Sequence, residues 1–341
     1  MTENTVQMLD TLSRPVRDLR ISVTDRCNFR CTYCMPKEVF NSNYEFLHRE
    51  QLLTFEEITR LARIFASLGV RKVRLTGGEP LLRKNLAVLI EHLAAIDAIE
   101  DISLTTNGVL LTQDRARQLR NAGLNRITIS LDTLDVATFR SISNADFGPD
   151  LVLRAIDEAE AAGLAPVKLN MVVKKGANES SILSMARHFH GSGKIVRFIE
   201  YMDVGHTNQW NLDDVYTAAE IVSELRKEFD IEPAEPNYRG EVAKRWRYKD
   251  GGGEVGIIAS VTQPFCQDCT RARLSAEGKL YTCLFATQGR DLRHLLREGA
   301  SDKYIAGVVG KVWSKRDDRY SETRTSESPL LPKIEMSYIG G

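Results

Sequence analysis

Hydrophobic and polar positions follow two alternating periods through the first part of the chain. Leu19–Val23 is a short apolar run with β-branched residues, which is typical of a strand. Thr54 can then cap a helix, and Glu57 completes a capping box ahead of apolar positions spaced along one helical face. Gly69 ends this helix, and Val70–Leu75 has the pattern of a second strand. The pattern therefore predicts a strand, a helix and a second strand.

The same unit recurs along the chain. Helices are predicted over 82–96, 112–122, 150–162 and Ile182–His190, and strands over Ile102–Thr105, Arg126–Leu131, Val167–Val173 and Ile195–Ile199. Each unit is long enough for a right-handed crossover, so the six strands should be parallel. The predicted fold class is α/β, with a partial (β/α)6 TIM-like barrel. In such barrels the chemistry lies on loops at the C-terminal ends of the strands.

After about Gly205 the regular alternation stops. We expect two regions, the barrel over 1–205 and a smaller C-terminal α+β region over 206–341. The elements predicted in the second region are a helix near Ala218–Phe229, a hairpin at Gly251–Gly253 and a hairpin at Gly278–Lys279.

Composition excludes some classes of function. The 341 residues include 46 basic and 46 acidic side chains, so no overall field recruits nucleic acid, and local groups of Arg and Lys must hold any anionic ligand. Met1–Asp10 lacks the pattern of a signal peptide, and apolar runs such as Leu86–Ile90 are too short to cross a bilayer. We therefore expect a soluble, cytoplasmic protein with no membrane contact.

A first group of three cysteines follows the first predicted strand. Cys27, Cys31 and Cys34 have the spacing C-x3-C-x2-C, so they can share one metal centre. On a four-iron cluster, three cysteines would leave one iron open for another ligand. A zinc knuckle, a disulfide with a spare thiol, or buried cysteines of no special role are the alternatives. Because no secretory signal is present, metal binding in a reducing compartment is favoured.

A second group of three cysteines lies in the C-terminal region. Cys266, Cys269 and Cys283 again lack a fourth cysteine, and a cluster used only for electron transfer would more naturally be fully ligated. Arg271 and Arg273 lie between them, and a strand would place both on one face. Such arginines form either a solvated face or an anion site. The open ligand position favours contact with a substrate.

Several motifs now point to a family. C-x3-C-x2-C after the first strand and Gly77-Gly78-Glu79-Pro80 after the second resemble the radical S-adenosylmethionine (SAM) superfamily. Within it, Leu19–Cys27, Val73–Pro80, the second cysteine group with its arginines and the Gly340–Gly341 end resemble the molybdenum cofactor biosynthesis family of GTP 3′,8-cyclases. The resemblance covers nearly the full chain. The apolar residues before the final glycines suggest that the tail docks.

The resemblance implies cofactors and site residues. It implies two [4Fe–4S] clusters, one held by Cys27, Cys31 and Cys34 that cleaves SAM and one held by Cys266, Cys269 and Cys283 that contacts GTP. The residues implied for SAM are Tyr33, Gly77, Gly78, Ser130 and Met202; those for GTP are Arg20, Arg74, Thr105, Lys168, Arg271 and Arg273; those for catalysis are Arg20, Lys72, Arg197, Gly340 and Gly341.

The resemblance also implies a reaction and partners. A 5′-deoxyadenosyl radical would take hydrogen from C3′ of GTP, the sugar radical would add to C8, and reduction would give (8S)-3′,8-cyclo-7,8-dihydroguanosine 5′-triphosphate. This lyase reaction is the first step of molybdenum cofactor biosynthesis. The implied partners are a flavodoxin- or ferredoxin-type electron donor, a downstream cyclic pyranopterin monophosphate synthase and a second copy in a homodimer.

Two other functions remain open at the level of sequence. One is a peptide-modifying radical SAM enzyme with an auxiliary cluster, which would usually need more cysteines in its C-terminal extension than the three present here. The other is a zinc-stabilised binding protein without catalysis.

Overall fold

Strands and helices alternate through the first two thirds of the chain. The computed structural model describes residues 8–325 and 332–340. The strands are β1 Asp18–Ser22, β2 Lys72–Thr76, β3 Asp101–Thr106, β4 Arg126–Ser130, β5 Lys168–Val173 and β6 Ile195–Glu200. The helices are α1 Phe55–Ser67, α2 Leu86–Ala94, α3 Gln113–Asn121, α4 Val136–Ser143, α5 Asp150–Ala161 and α6 Ile182–Phe189. The predicted α/β class with a parallel sheet is confirmed.

The first six strands pair in chain order, and every pair is parallel. Helix α1 shows why the sequence forms these units. The Thr54 hydroxyl accepts a hydrogen bond from the Glu57 amide at 3.1 Å, and the Glu57 carboxylate accepts one from the Thr54 amide at 2.8 Å. This is the predicted capping box. The apolar face of α1, including Leu61 and Phe65, is fully buried against the sheet.

The C-terminal residues extend the same sheet at both of its edges. Their strands are β7 Ile231–Ala234, β8 Lys244–Tyr248, β9 Glu254–Ile258, β10 Arg271–Leu274, β11 Lys279–Tyr281 and β12 Arg290–Asp291, and their helices are α7 Ala218–Leu225, α8 Arg293–Arg297, α9 Asp302–Ser314, α10 Tyr320–Thr323 and α11 Met336–Ile339. In the described chain the strand order is β12-β11-β10-β1-β2-β3-β4-β5-β6-β9-β8-β7. Strand β9 lies parallel to β6, and β10 lies parallel to β1. Both predicted hairpins, β8–β9 and β10–β11, are antiparallel as expected.

Several elements differ from the sequence prediction, β12 and α8 to α11 among them, and three others show how. Helix α2 begins at Leu86 and not at 82, because Asn85 has the left-handed φ of 58° and cannot continue a helix. Helix α4 was not predicted, although Asp135 caps it by accepting from the Thr138 amide at 2.8 Å. Strand β7 was not predicted because it contains Pro233, which is tolerated at the edge of a sheet.

Apolar runs stay within short helices. Leu86–Ile90, for example, belongs to the nine residues of α2. Across the described ranges, every helix is too short or too polar to cross a lipid bilayer.

Candidate active site

A row of arginines crosses the inner face of the sheet. Alternate residues of a strand point to opposite sides, so Leu19 and Ile21 pack under the helices while Arg20 faces the other way. The strand register places Arg273 and Arg74 on either side of Arg20. Ser103 on β3 lies opposite Arg74 on one side and opposite Arg126 on the other, which continues the row. These four arginines come from β10, β1, β2 and β4 and line one cavity.

Two further cations reach the cavity from the other half of the sheet. Lys168 on β5 and Arg197 on β6 also line it, and the Arg197 Nη2 donates to the Thr128 hydroxyl at 3.1 Å. Gly256 on β9 lies opposite Arg197. A Cβ atom at Gly256 would come within 2.9 Å of the Arg197 Cγ, so the glycine leaves room for the arginine stem.

The cavity holds more positive charge than its own acids balance. Arg126 forms an ion pair with Asp101, but within the described chain Arg20, Arg74 and Arg197 form no ion pair with an acid. Burial, followed by repulsion between these arginines, lowers the pKa of all three. Burial and Arg197 lower the pKa of Lys168 to about 8. Charges held in this way favour an anionic ligand.

The second cysteine group opens into the same cavity. Cys266, Cys269 and Cys283 all line it. The Arg271 Nε and Nη2 each donate to the Cys269 sulfur at 3.3 Å. Burial raises the pKa of Cys269, but Arg271 and Arg316 outweigh burial and lower it to about 6. Cys269 is therefore suited to bind a metal as a thiolate.

The first cysteine group lies in the loop that follows β1. Arg30 fixes this loop, since its Nη1 donates to the Cys27 carbonyl at 2.8 Å and its Nε to the Phe40 carbonyl at 2.6 Å. The Tyr33 hydroxyl donates to Asp132 at 2.8 Å, which ties the same loop to the end of β4. Burial raises the pKa of the Cys27 thiol to about 12. Burial likewise raises the pKa of the other two thiols.

The glycine pair after β2 packs directly on the segment that leads into Cys27. The Gly78 amide donates to the Thr24 carbonyl at 2.8 Å. A Cβ atom at Gly77 would overlap the Thr24 carbonyl oxygen, and one at Gly78 would overlap that of Arg26. Only glycines permit this approach. The loops after β1 and β2 therefore form one surface at the C-terminal ends of the strands.

The loop after β3 is joined to that surface by a buried carboxylate. Glu79 accepts from the Thr106 hydroxyl at 2.7 Å and from the Asn107 amide at 2.8 Å. The Asn107 side chain in turn donates to Asn28 at 2.8 Å, next to Cys27. Glu79 is thus a positioning residue for the cysteine loop.

The C-terminal tail docks against strands β10 and β2. Ile339 is fully buried, and the Gly340 carbonyl accepts a hydrogen bond from Arg273. Gly340 has a left-handed φ of 76°, and a Cβ atom there would overlap Thr76 at the end of β2. The predicted docking of the tail is confirmed for these residues. Gly341, the other predicted glycine, lies outside the described residues.

The donor set fits thiolate ligation. All six cysteines are free thiols, grouped as two sets of three. In residues 8–325 and 332–340, no three His, Cys, Asp or Glu side chains are arranged as ligands of a single metal ion. A four-iron cluster has a different requirement, because each cysteine binds its own iron atom.

The structure places most of the predicted residues either in the cavity or at the C-terminal ends of the strands and the loops that follow them. The predicted residues that line the cavity are Arg20, Lys72, Arg74, Thr105, Lys168, Arg197, Met202, Arg271, Arg273 and the second cysteine group. The others lie at strand ends or in the loops that follow: Tyr33 after β1, Gly77 and Gly78 after β2, and Ser130 at the end of β4. The individual roles of these residues stay predictions.

Sequence reasoning missed several residues that line the cavity. Arg126 and Asn170 lie at alternate positions of predicted strands, so the two-residue period could have found them. Tyr238 lies on the loop between β7 and β8, where its ring centroid is 3.8 Å from the Lys72 Nζ. No pattern in the sequence indicates that this loop reaches the cavity.

Two family models match the chain, and the first ends at α6 just before the second begins ahead of β6. The model of the Radical SAM superfamily matches residues 21–189, and that of Molybdenum Cofactor Synthesis C matches residues 194–322. Streptococcus suis SuiB bound to precursor peptide SuiA has a similar fold, with a TM-score of 0.62 and 15% identity over 95% of this chain and 70% of that one. SuiB bound to S-adenosylmethionine has a TM-score of 0.59, with 15% identity over 86% and 67%. The fold and the cysteine loop define a radical SAM protein.

Relatives that match nearly the full length narrow this class. The GTP 3′,8-cyclase of Acidothermus cellulolyticus is 51% identical over 97% of this chain and 98% of its own length. The GTP 3′,8-cyclase of Staphylococcus carnosus is 49% identical over 98% and 99%. The chain therefore belongs to the GTP 3′,8-cyclase family.

Proposed function

We propose that this chain is a lyase that converts GTP to 3′,8-cyclo-7,8-dihydro-GTP, the first step of molybdenum cofactor biosynthesis. The observation that supports this most directly is the row of Arg273, Arg20, Arg74 and Arg126 in a cavity that also contains the second cysteine group. A nucleoside triphosphate needs both parts of such a site. The arginines match its phosphates, and the open iron of a three-cysteine cluster matches a nitrogen or oxygen of its base.

Each cysteine group would hold one [4Fe–4S] cluster. Cys27, Cys31 and Cys34 would hold the first, and Cys266, Cys269 and Cys283 the second. When bound, the first cluster and SAM supply a carbon radical able to take hydrogen from C3′ of GTP, and the second supplies an open iron for guanine. The chain's own contribution is to bind both molecules and to orient C3′ toward the source of the radical.

The arginines of the row, together with Lys168 and Arg197, would bind the triphosphate. Arg20 and Arg74 present forked donors that suit phosphate oxygens in pairs, whereas Lys168 presents a compact charge from the other half of the sheet. Because these groups are buried, repel one another and form no ion pair among the described residues, an anion that enters the cavity relieves this repulsion. Triphosphate binding is therefore favoured by the positive charge of the cavity.

The tail would connect the two halves of the site. The Gly340 carbonyl lies on Arg273 in the cavity, and Gly340 packs on Thr76, which precedes the glycine pair of the SAM-side loop. A segment in this place excludes water and keeps Arg273 in position. We propose that Gly340 acts in catalysis through this placement, and the family likeness extends the proposal of a catalytic part to Gly341.

The remaining proposals rest on the family alone. They are a flavodoxin- or ferredoxin-type electron donor, a downstream cyclic pyranopterin monophosphate synthase, a homodimer and a cytoplasmic location.

Anaerobic incubation with SAM, a reductant and GTP tests the proposal. We expect 5′-deoxyadenosine and a cyclised nucleotide in equal amounts, both detected by mass spectrometry, from a brown protein with about eight iron atoms per chain. A colourless protein loaded with zinc would support the non-catalytic alternative. SAM cleavage that depends on a peptide and not on GTP would support a peptide-modifying enzyme.

A further inference from the structure

A buried ionic network lies between the start of the described chain and the second cysteine group. The Asp10 Oδ2 accepts from the Arg14 Nε at 2.6 Å and from the Arg316 Nη1 at 3.0 Å. The Asp10 Oδ1 accepts from the amides of Leu12 and Arg14, at 2.9 Å each. Arg14 is 2% exposed, Arg316 4% and Asp10 7%. Charges buried this deeply need a specific reason to be present.

The two arginines contact both segments that carry the second cysteine group, the turn with Cys266 and Cys269 and the segment with Cys283. The Arg14 Nη1 donates to the Cys266 carbonyl at 2.7 Å. The Arg316 Nη1 donates to the Cys269 carbonyl at 2.8 Å. The Arg316 Nε donates to the carbonyl of Thr282, the residue before Cys283, at 3.1 Å. One carboxylate thus aligns two guanidinium groups that also donate to the main chain at or beside each cysteine. Both guanidinium groups further contact Asp318, at 2.8 Å from the Arg14 Nη1 to its carbonyl and at 3.2 Å from the Arg316 Nε to its carboxylate.

Neighbouring contacts hold the two arginines in place. The Arg316 guanidinium lies 4.6 Å from the ring centroid of Trp313, which is itself buried. The Trp313 Nε1 donates to the Arg14 carbonyl at 3.1 Å, and the Thr11 hydroxyl donates to the Arg316 carbonyl at 2.7 Å. The turn over residues 10–14 and the residues that follow α9 therefore form one rigid support for the two arginines.

The two cysteine groups have different needs for such a support. Cys27 and Cys34 belong to one short loop, whereas Cys283 is separated from Cys269 by the β10–β11 hairpin. The cysteines of the second group therefore come from separate segments. Groups behind metal ligands commonly fix ligand geometry, and their loss lowers metal affinity.

We propose that Asp10, Arg14 and Arg316 are positioning residues that hold Cys266, Cys269 and Cys283 at the separations a four-iron cluster requires. We call these three residues the N-terminal clamp. The inference rests on the proposed function in one respect, namely that the second cysteine group binds a cluster. It adds that residues distant in sequence from these cysteines are needed for that cluster to assemble and persist. Two of them, Asp10 and Arg14, lie near the start of the chain, and Arg316 follows α9.

Iron binding can be measured separately for each cysteine group. In full-length protein with Cys27, Cys31 and Cys34 replaced by alanine, only the second group can bind a cluster, and anaerobic reconstitution should give about four iron atoms per chain. Adding Arg316→Lys or Asp10→Asn should reduce this at least fourfold. Lysine keeps the charge of Arg316, but one ammonium cannot bond Asp10, Cys269 and Thr282 in the same geometry.

A reciprocal protein shows whether the variants fold. With Cys266, Cys269 and Cys283 replaced by alanine, Arg316→Lys should leave the first cluster at about four iron atoms and its electron paramagnetic resonance spectrum unchanged. Arg30→Lys is the matched control in the first protein, because Arg30 also donates to main-chain carbonyls but in the other cysteine loop. It should leave the second cluster intact.

Three results would overturn the inference. If Arg316→Lys and Asp10→Asn keep the second cluster at full occupancy and it bleaches in air at the parent rate, the clamp has no role in holding it. If the parent with only the second cysteine group binds no iron, the second cluster of the proposed function is refuted, and the clamp with it. If Arg316→Lys removes the first cluster from the reciprocal protein, the variant has a general folding defect, which would also contradict the clamp.

Discussion

The two cysteine groups have the same number of ligands but differ in the charge around them. Burial raises the pKa of the Cys27 thiol and of its two partners, and main-chain and side-chain hydrogen bonds from neighbouring loops hold their loop in place. In the second group burial also raises the pKa of Cys283, to about 12, whereas Arg271 and Arg316 outweigh burial at Cys269 and lower its pKa to about 6. Because the two groups share a ligand count, we expect the charge around the cysteines to decide what each cluster contacts. The arginines beside the second group suit a triphosphate.

The largest predicted effects separate the two groups. Replacing Cys27, Cys31 or Cys34 with Ala should abolish formation of 5′-deoxyadenosine, while GTP still binds. Replacing Cys266, Cys269 or Cys283 with Ala should abolish cyclisation, while SAM cleavage persists. Chromatography of 5′-deoxyadenosine and equilibrium binding of GTP check both statements. A Cys34→Ala protein that still forms 5′-deoxyadenosine would show that the first assignment is wrong.

Arginines beside the second group should account for much of the GTP affinity. Replacing Arg273 with Ala removes a buried charged donor, and a hydrogen bond to a charged group contributes about 1.5–3 kcal/mol. We expect the Kd for GTP to rise by about 10- to 100-fold in anaerobic calorimetry. Changing both Arg271 and Arg273 to Ala should weaken binding further and leave the first cluster intact.

The control for these variants is Arg187→Ala. Arg187 pairs with Glu228 on the outer surface, and removing such an exposed pair changes stability little because solvent screens it. Its GTP affinity should match that of the unmodified protein. Unchanged affinity in the Arg273 variant as well would remove the arginines from the GTP site.

Strain at the tail should lower the rate of cyclisation by about tenfold. In Gly340→Ala the new Cβ meets Thr76, and alanine resists the φ of 76° at a cost of about 1–2 kcal/mol. Deletion of Gly340 and Gly341 should have a larger effect of the same kind, with both clusters retained. Single-turnover assays and iron analysis check this prediction.

Gly191→Ala is the matched control for the tail. Gly191 has a similar φ of 72°, but a Cβ atom there meets nothing within 4 Å. It should show the same backbone strain without loss of turnover. Full activity in the tail deletion would mean that the docked tail has no catalytic part.

The smallest effect concerns pH. Burial and Arg197 lower the pKa of Lys168 to about 8, so its ammonium is charged below pH 8 and loses its proton above it. A bound triphosphate favours the charged form, so GTP affinity should be level below pH 8 and fall above it by up to about tenfold per pH unit. Lys168→Arg should remove the decline. A decline that persists in this variant would assign it to another group.

Much of the fold and the site could be predicted from local pattern. The capping box at Thr54, the two hairpins and the strands that carry Arg20 and Arg74 follow from short-range rules that the structure obeys. Arg271 and Arg273 were expected on one face, and both line the cavity.

What could not be predicted depends on contacts between distant segments. Nothing in the local pattern of Arg14 or Arg316 indicates that both bond the second cysteine group. The register that places Arg273 beside Arg20 joins strands β10 and β1 from opposite ends of the chain. Tyr238 reaches the cavity because β9 extends the sheet next to β6 and pairs with β8, which brings the β7–β8 loop to the cavity.

Transfer of the C3′ hydrogen tests the central claim most directly. GTP with deuterium at C3′ would be incubated anaerobically with SAM, a reductant and the reconstituted protein, and 5′-deoxyadenosine would be analysed by mass spectrometry. We predict one deuterium in 5′-deoxyadenosine and formation of 3′,8-cyclo-7,8-dihydro-GTP. Unlabelled 5′-deoxyadenosine, or SAM cleavage without a cyclised nucleotide, would contradict the account.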